Sequence, residues 1–172
     1  DSGGGAGIQA DIKTITYFKA YAMTAVTAIT AQNTVGVQSI YPLPKETVIN
    51  QIQSVLNDLS PDVIKIGMLA DIEIINYISK NISNFKIVLD PVMVATSGDV
   101  LVDENVISSI KNTLIEKSFL ITPNIYEAEI LTDIKIKNLD DQISAANELL
   151  KLGCKNVLIK VVTEIQIKLM TF

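Results

Sequence analysis

Polar side chains and glycines follow several apolar, strand-like segments of the sequence, at the points where those segments end. In a parallel sheet the carboxyl ends of neighbouring strands meet at one edge, and ligands bind in the crevice outside that edge. These residues are therefore the first candidates for chemistry. They are Gln32, Asn33, Gly67, Met68, Asp90, Thr122, Pro123, Asn124 and Lys160.

Asp90 comes directly after the apolar residues Ile87–Leu89 and directly before Pro91. A carboxylate in such a crevice commonly holds Mg²⁺ through water at sites of phosphoryl transfer. The same side chain could instead cap the following loop through an Asx-turn. Taken alone, the two interpretations of Asp90 are equally well supported.

Asn124 and Glu127 stand three residues apart at the start of a predicted helix, so both side chains can face one point in the crevice. Helix capping explains the same pair and is favoured when the pair is judged in isolation. Lys160 ends the last predicted strand, where its ammonium could meet a phosphate, although a solvated strand end is the more common explanation. Each signal is weak, but all three converge on one edge of the sheet.

A glycine-rich run, DSGGGAG, precedes the first predicted helix. Glycines let the backbone approach an oxyanion or a flat ring closely, and a helix N-terminus offers free N–H donors. For such a run in isolation, a tight turn is favoured over a ligand site by about two to one. The run is neither a Walker A loop nor a GxGxxG motif, because the GK[ST] residues and the spacing are missing.

The composition excludes several kinds of site. The 172 residues include no histidine and no arginine, which excludes Ser-His-Asp and Cys-His catalysis and histidine metal sites. Any phosphate must be held by lysine, backbone N–H groups or a metal. A net charge of −5 without a basic cluster argues against a nucleic-acid partner, and no apolar run approaches the roughly 20 residues of a membrane span. The lone Cys154 predicts a buried, unreactive thiol and a reducing cytoplasmic location.

Apolar strand-like runs alternate with stretches of helical periodicity, which predicts βαβ units. We therefore predict a single α/β domain over residues 1–172, with a three-layer, doubly wound, mainly parallel sheet. Asp103 is predicted to cap the helix that follows it. The predicted strands cover residues 23–30 (buried on both faces), 37–41, 63–66, 87–89, 119–121 and 157–159, and the predicted helices lie around residues 5–19, 48–59, 72–78, 103–114, 126–131 and 140–152.

Six segments occur in a distinctive order: SGGGAGIQAD, MTAVTAITAQNTVGVQSIYPLP, VIKIGML, VLDPVMVATSGD, LITPNIYEAEILT and VLIK. In this order, from Asp1 to Lys160, the sequence resembles the hydroxymethylpyrimidine/phosphomethylpyrimidine kinases of thiamine biosynthesis, which have a ribokinase-like fold. The resemblance implies an enzyme that uses MgATP to phosphorylate the hydroxymethyl group of a small aminopyrimidine, and then phosphorylates the monophosphate again. It also implies ATP and the pyrimidine as partners, and relatives of this type are often homodimers.

The resemblance assigns a role to each candidate residue. The amide of Gln32 would pair with the amino and nitrogen edge of the pyrimidine, since an amide can donate and accept together. By matched position, the pyrimidine pocket would be lined by Gly4, Gly5, Asp11, Gln32, Met68 and Val92; Mg²⁺ would be held by Asp90 and Glu127; and the nucleotide and its phosphates would meet Asn124, Glu127 and Lys160.

The sequence also departs from the family pattern. Thr96 stands where many relatives carry a lysine, which removes one possible cation near the phosphates. The GTGC motif that supplies the relatives' anion hole and catalytic residue does not occur, and residues 161–172 match nothing in that pattern. We therefore expect an incomplete ribokinase-like domain, truncated at both ends, with no catalytic residue present and little or no activity. Our hypothesis for the tail is a frameshift, since two GGT glycine codons read one base out of phase give Val161–Val162.

Two alternatives to the pyrimidine kinase stay open. One is a pyridoxal kinase of the same superfamily, and the other is a non-catalytic remnant that only binds the pyrimidine. Gln32 and Met68 favour the pyrimidine over pyridoxal.

Overall fold

The computed structural model describes residues 1–93 and 102–161. Thr96 and residues 162–172, on which two of the expectations rest, lie outside these ranges. In the described part, the helices are α1 (Gly7–Tyr17), α2 (Lys45–Asp58), α3 (Ile72–Asn81), α4 (Glu104–Thr113), α5 (Ile125–Thr132) and α6 (Leu139–Lys151), with a 3₁₀ turn at Ile115–Lys117. The strands are β1 (Ala28–Gln32), β2 (Val37–Pro42), β3 (Val63–Ile66), β4 (Lys86–Leu89) and β5 (Leu120–Ile121).

A parallel sheet forms the centre of the molecule, with its strands in the spatial order β3, β4, β5. Ile66 pairs with Leu89, and Leu89 pairs with Ile121, so the carboxyl ends of the three strands lie side by side. Parallel neighbours need a crossover connection; α3 makes the one between β3 and β4, and α4 the one between β4 and β5. The predicted parallel α/β arrangement is confirmed.

The last predicted strand, at residues 157–159, is not a regular strand. Val157 and Lys160 form isolated parallel bridges with Ile121 and Asn124. The Leu158 N–H donates to the carbonyl of Ile121 at 2.9 Å, and the Lys160 N–H donates to that of Pro123 at 2.7 Å. A continuous ladder cannot form because β5 is short and Pro123 has no N–H to donate. The segment nevertheless continues the sheet beside β5 and carries Lys160 to its carboxyl edge.

The predicted strand over residues 23–30 is wrong in its start and in its surroundings. The strand is β1, which begins at Ala28 and pairs with β2 in an antiparallel ribbon. Ile29 is 56% exposed, so β1 is not buried on both faces. Ahead of β1, the side-chain amide of Gln51 on α2 binds both backbone groups of Val26, at 2.9 and 3.0 Å. The predicted strand therefore forms only from Ala28 onward, and at Val26 a side chain takes the place of a neighbouring strand.

The core packs the parallel sheet against helices α2–α6. On α3 the buried residues Ile74, Ile75 and Ile78 follow helical spacing and form one apolar stripe. On β4 the side chains of Ile87 and Leu89 are fully buried. Burying each such side chain stabilises the fold by about 1.5–3 kcal/mol. A second, smaller cluster (Ala128, Ile136 and Ala145) packs α5 against α6.

Side-chain caps fix the starts of several helices. Asp103 accepts a hydrogen bond from the Val106 N–H at 2.9 Å, which confirms the predicted cap of α4. Asp71 and Asn138 cap α3 and α6 in the same way. Among the described helices, none combines the length and the apolar composition that a membrane crossing requires.

Cys154 is buried, as predicted, and its thiol donates a hydrogen bond to the carbonyl of Leu149 at 3.2 Å. Burial raises the pKa of the Cys154 thiol above its usual value. The thiolate, which is the reactive form, is therefore disfavoured, and the residue packs as a small apolar side chain.

Candidate active site

The carboxyl edge of the parallel sheet brings Asp90 and Lys160 into direct contact. Asp90 directly follows β4, and its Oδ1 accepts a hydrogen bond from the Lys160 ammonium at 2.6 Å. The Asp90 backbone N–H donates to Ile66 of β3 at 2.8 Å, so the residue still follows the sheet. The described backbone supplies no N–H to the Asp90 carboxylate. That carboxylate therefore faces a cation of the crevice rather than closing an Asx-turn within the described residues.

Asn124 and Glu127 close a capping box at the start of α5. The Asn124 side chain accepts from the Glu127 N–H at 2.8 Å, and the Glu127 carboxylate accepts from the Asn124 N–H at 2.8 Å. The other oxygen of Glu127 accepts a longer bond from the Met93 N–H at 3.4 Å. Both residues therefore lie at the predicted edge, and the capping interpretation of the pair is confirmed.

Glu127 is almost completely buried, with 2% of its surface exposed. Burial raises the pKa of Glu127 above its usual value, because a carboxylate is less stable away from water. The Asn124 N–H and the charge of Lys160 oppose this rise, whereas the charge of Asp90 adds to it. Asp90 and Lys160 therefore lie close enough to Glu127 for their charges to act on its pKa.

Lys65, inside β3, extends this charged group towards α1. Its ammonium contacts both carboxylate oxygens of Asp11 at 3.0 and 2.9 Å, and it lies 3.9 Å from Oδ2 of Asp90. Asp11, Lys65, Asp90 and Lys160 thus form a row of alternating charge along the edge, which we call the charged row. Sequence reasoning selected three of its four members and missed Lys65. The signal that could have found it is a lysine inside an otherwise apolar strand.

The glycine turn lies against the end of β1. Ser2 Oγ donates to the carbonyl of Gln32 at 2.7 Å and accepts from the Gln32 N–H at 2.9 Å. A Cβ at Gly3 would stand 3.2 Å from the Gln32 carbonyl oxygen, a tight contact that favours glycine there. Gly4 has a φ of +70°, which also favours glycine, and its carbonyl accepts from the Lys13 ammonium at 2.8 Å.

Asp1 organises the same turn, and sequence reasoning did not single it out. One of its carboxylate oxygens accepts from the N–H of Gly3 at 2.7 Å, and the other from those of Gly5 and Ala6 at 3.0 and 2.9 Å. These three N–H groups therefore point at a negative charge supplied by the chain itself. The turn gathers N–H donors, but Asp1 occupies these three, so they are not the free donors expected at the start of the helix.

The remaining predicted pocket residues lie at or just beyond the ends of three different strands. Gln32 ends β1, and its amide oxygen accepts from the Thr30 hydroxyl at 3.1 Å. Met68 lies just beyond β3, where its carbonyl accepts from the Thr27 hydroxyl at 2.8 Å. Val92 lies just beyond β4 in a tight turn, with its N–H bound to the Asp90 carbonyl at 2.8 Å. All three are partly buried, and the described hydrogen bonds do not join them directly to one another.

A surface groove of about 490 Å³ lies elsewhere, between α2 and the segment that precedes β1. Its lining contains none of the predicted site residues. The lining residues are Thr24, Thr47, Asn50, Gln51, Ser54 and Val55.

The comparison with known families decides which family the chain belongs to. A family model described as phosphomethylpyrimidine kinase matches residues 1–168. The chain belongs to the phosphomethylpyrimidine kinase family. The predicted family membership is confirmed.

Individual relatives agree with the family match. The hydroxymethylpyrimidine/phosphomethylpyrimidine kinase of Bacillus subtilis (strain 168) is 45% identical over 163 residues, which is 93% of this chain and 60% of the relative. The chain therefore spans about three fifths of the length of that curated relative. The crystal structure of the phosphomethylpyrimidine kinase from Clostridium difficile 630 superposes with a TM-score of 0.85 at 45% identity, covering 93% of this chain and 71% of that one.

Pyridoxal kinases share the fold as well. The pyridoxal kinase from Staphylococcus aureus in complex with pyridoxal gives a TM-score of 0.85 at 31% identity, covering 94% of this chain and 61% of that one. With the phosphomethylpyrimidine kinase structure, it confirms the predicted ribokinase-like α/β fold.

Kinases of this family act on phosphoryl groups, so the fit of the predicted Mg²⁺ to the edge matters. Asp90 can accept an ion, because its side chain is 18% exposed in the crevice and a carboxylate has more lone pairs than the lysines occupy. Glu127 is enclosed, and both of its oxygens accept backbone N–H groups. Among the described residues, no group of three or more acidic, cysteine or histidine side chains could hold a metal. The donors fit Mg²⁺ bound through one carboxylate with water and phosphate oxygens, which is how proteins usually bind it.

Proposed function

We propose that this chain binds 4-amino-5-hydroxymethyl-2-methylpyrimidine and its monophosphate at the carboxyl edge of its sheet. The reaction it serves is their ATP-dependent phosphorylation in thiamine biosynthesis. The observation that carries this proposal is the charged row in a member of the phosphomethylpyrimidine kinase family. The row joins Asp11, expected in the pyrimidine pocket, to Asp90 and Lys160, expected at the phosphates.

The pyrimidine side of the proposed site combines an amide with apolar and backbone surfaces. Gln32 offers its amide to the ring's amino and nitrogen edge, since the described residues place no hydrogen bond on its amide nitrogen. Met68 and Val92 supply apolar contact to the ring. Gly4 and Gly5 let the backbone come close to the substrate, because no side chain stands between them and it.

Because the chain has no arginine, the cations on the phosphate side of the proposed site are lysine and Mg²⁺. Lys160 supplies an ammonium to the phosphates, and Asp90 holds Mg²⁺, which when bound neutralises charge on the phosphate oxygens. Asn124 and Glu127 hold the start of α5 in place beside the nucleotide through their capping box.

Each of the two reactions transfers one phosphoryl group from ATP. The hydroxymethyl oxygen forms a bond to the γ-phosphorus of ATP as the bond from that phosphorus to the β-phosphate oxygen breaks. ADP leaves, and the hydroxyl proton is released. In the second reaction an oxygen of the pyrimidine monophosphate attacks in the same way and gives the pyrophosphate. In both reactions the role proposed for the described residues is to bind and orient the pyrimidine and ATP. Such positioning is the larger part of catalysis in phosphoryl transfer.

Calorimetric titration of the chain with the aminopyrimidine and, separately, with pyridoxal tests the proposal. We expect heat of binding with the pyrimidine and weaker binding of pyridoxal. No heat with millimolar pyrimidine would overturn the proposal, and tighter binding of pyridoxal would replace it with the pyridoxal kinase alternative. A coupled assay of ADP release in the same samples then shows whether the chain transfers a phosphoryl group or only binds the pyrimidine.

We further propose a cytoplasmic location and a homodimer as the assembled form. The free, buried Cys154 is compatible with a reducing compartment. Size-exclusion chromatography with light scattering tests the dimer, and a molecular mass equal to that of one chain at micromolar concentration contradicts it.

A further inference from the structure

Lys65 occupies the junction between the two halves of the proposed site. It lies on β3 between Ile64 and Ile66; Ile66 is buried in the core, whereas the Lys65 side chain is 35% exposed on the opposite face. Its ammonium lies 3.7 Å from the position that a Cβ would take at Gly67, so it reaches past the end of the strand. The ammonium therefore sits at the carboxyl edge, beside the residue that precedes Met68.

Two carboxylates meet this ammonium from different elements. Asp11 comes from α1 with both oxygens in contact, and Asp90 comes from the end of β4 with one oxygen 3.9 Å away. An ammonium is a compact point charge, and one that contacts both oxygens of a carboxylate holds that carboxylate in place by attraction to each of them. Lys65 thereby holds the Asp11 carboxylate beside the end of β3.

The weak packing of α1 makes this contact important for geometry. None of the residues of α1 is fully buried, so close packing does not lock the helix into one position. A half-exposed ion pair adds only about 0–1 kcal/mol to stability. The pair between Lys65 and Asp11 therefore matters more for where α1 presents its carboxylate than for whether the chain folds.

We propose that Lys65 is a positioning residue of the pyrimidine site. It holds the Asp11 carboxylate in the orientation that receives the substrate, and it ties that carboxylate to Asp90 on the phosphate side. This inference rests on the proposed function. It adds a residue whose part in the site is to orient another side chain.

Calorimetric titration of the aminopyrimidine into charge variants of this pair tests the inference. Lys65→Met keeps the length of the side chain and removes its charge, and we expect it to weaken binding by about tenfold. Lys65→Arg restores binding to within about threefold of the wild type, because a guanidinium can also contact both oxygens of a carboxylate. A side chain that only filled space would gain nothing from this return of charge.

The partner residue supplies an independent test. Asp11→Asn alters an exposed helix rather than the sheet, so the variant is expected to fold, and we expect a similar loss of affinity. If Lys65 acts through Asp11, the double variant Lys65→Met/Asp11→Asn binds no more weakly than the weaker single variant. Losses that add would show that the two residues act separately and would overturn the inference.

A matched control separates local from general effects. Lys86→Met removes a lysine from the start of β4, where its ammonium lies over the Phe119 ring at 5.7 Å, and it should leave pyrimidine affinity unchanged. If the wild type binds and Lys65→Met binds equally well, the positioning role is wrong and the proposed function stands. If the wild type itself does not bind, the proposed function fails first. Urea unfolding of every variant confirms that the compared proteins are folded.

Discussion

Asn124 and Lys160 illustrate how one edge residue can serve the fold and the site together. Asn124 closes the capping box of α5, and its backbone forms the bridge that aligns Lys160 with the sheet. Lys160 in turn pairs with Asp90, and its positive charge opposes the effect of the Asp90 carboxylate on the pKa of the enclosed Glu127. Each residue therefore has a structural contact that can be measured separately from ligand binding.

The Asn124→Ala substitution removes the acceptor for the Glu127 N–H. We expect it to lower the free energy of unfolding by about 1 kcal/mol, the usual contribution of an N-cap. Asn124→Ser keeps a capping oxygen and should lose much less. Equal destabilisation of the two variants in urea unfolding would show that the cap does not stabilise α5 as described.

The Lys160→Met substitution removes the ammonium that lies 2.6 Å from Asp90. We expect Mg²⁺ to bind up to about fivefold more tightly, because the ion no longer competes with an ion pair worth up to about 1 kcal/mol. Lys155→Met makes the same change in net charge at an exposed position. Equal Mg²⁺ affinities of these two variants in calorimetry would contradict a site at Asp90.

At the scale of elements, the sequence predicts helices better than strand partners. Asp103 and Asn124 are side chains that act on their own helix, so local sequence is sufficient to place them. The start of β1 was predicted wrongly because the partner of the preceding segment is the side chain of Gln51, which local sequence cannot reveal. A lysine inside an apolar strand marks Lys65 locally, but its partners Asp11 and Asp90 lie in distant segments that local sequence does not connect to it.

The Gln51→Ala substitution tests this unusual tether between α2 and the segment before β1. It leaves both backbone groups of Val26 without their side-chain partner. An unsatisfied, partly buried polar group costs about 1–3 kcal/mol, and we expect a loss of that size in urea unfolding. Gln53→Ala, at an exposed position on the same helix, should change stability by less than about 0.5 kcal/mol. Equal losses in both variants would contradict the tether.

The loop between α5 and α6 predicts a dependence of stability on pH. The Lys135 ammonium and the Ile136 N–H bind Glu129, both at 2.8 Å, and they hold the pKa of that carboxyl below its usual value. Because the folded pKa is the lower one, the contribution of Glu129 to stability is complete above the unfolded value of 4.5 and is lost as the pH falls through the folded value.

Urea unfolding of the wild type and of Glu129→Gln across the acid range measures this contribution. The difference between their free energies of unfolding should be constant near neutrality and should shrink as the pH falls below 4.5. Glu116→Gln, on the 3₁₀ turn, provides an exposed control. A Glu129 difference that stays constant throughout the acid range would show that these contacts do not stabilise the folded chain.

At the scale of the whole molecule, stability and function occupy different regions of one sheet. The apolar core packs the parallel sheet against helices α2–α6, whereas the charged row lies at the carboxyl edge of that sheet and the glycine turn lies against the end of β1. The alternation of strands and helices was sufficient to predict this edge, because all parallel strands end there. The contacts along it required the structure, because they join residues as far apart in sequence as Lys160 and Asp90.

The central claim is that this edge, and no other surface, receives the aminopyrimidine. The ¹⁵N-labelled chain is titrated with 4-amino-5-hydroxymethyl-2-methylpyrimidine while backbone amide chemical shifts are recorded. The shifts test both whether the ligand binds and where on the chain it binds. The account predicts the largest shifts at Gly4, Gln32, Met68 and Val92, with little change at Thr47, Asn50 and Ser54 in the surface groove. Shifts concentrated in that groove, or none at millimolar ligand, would contradict it.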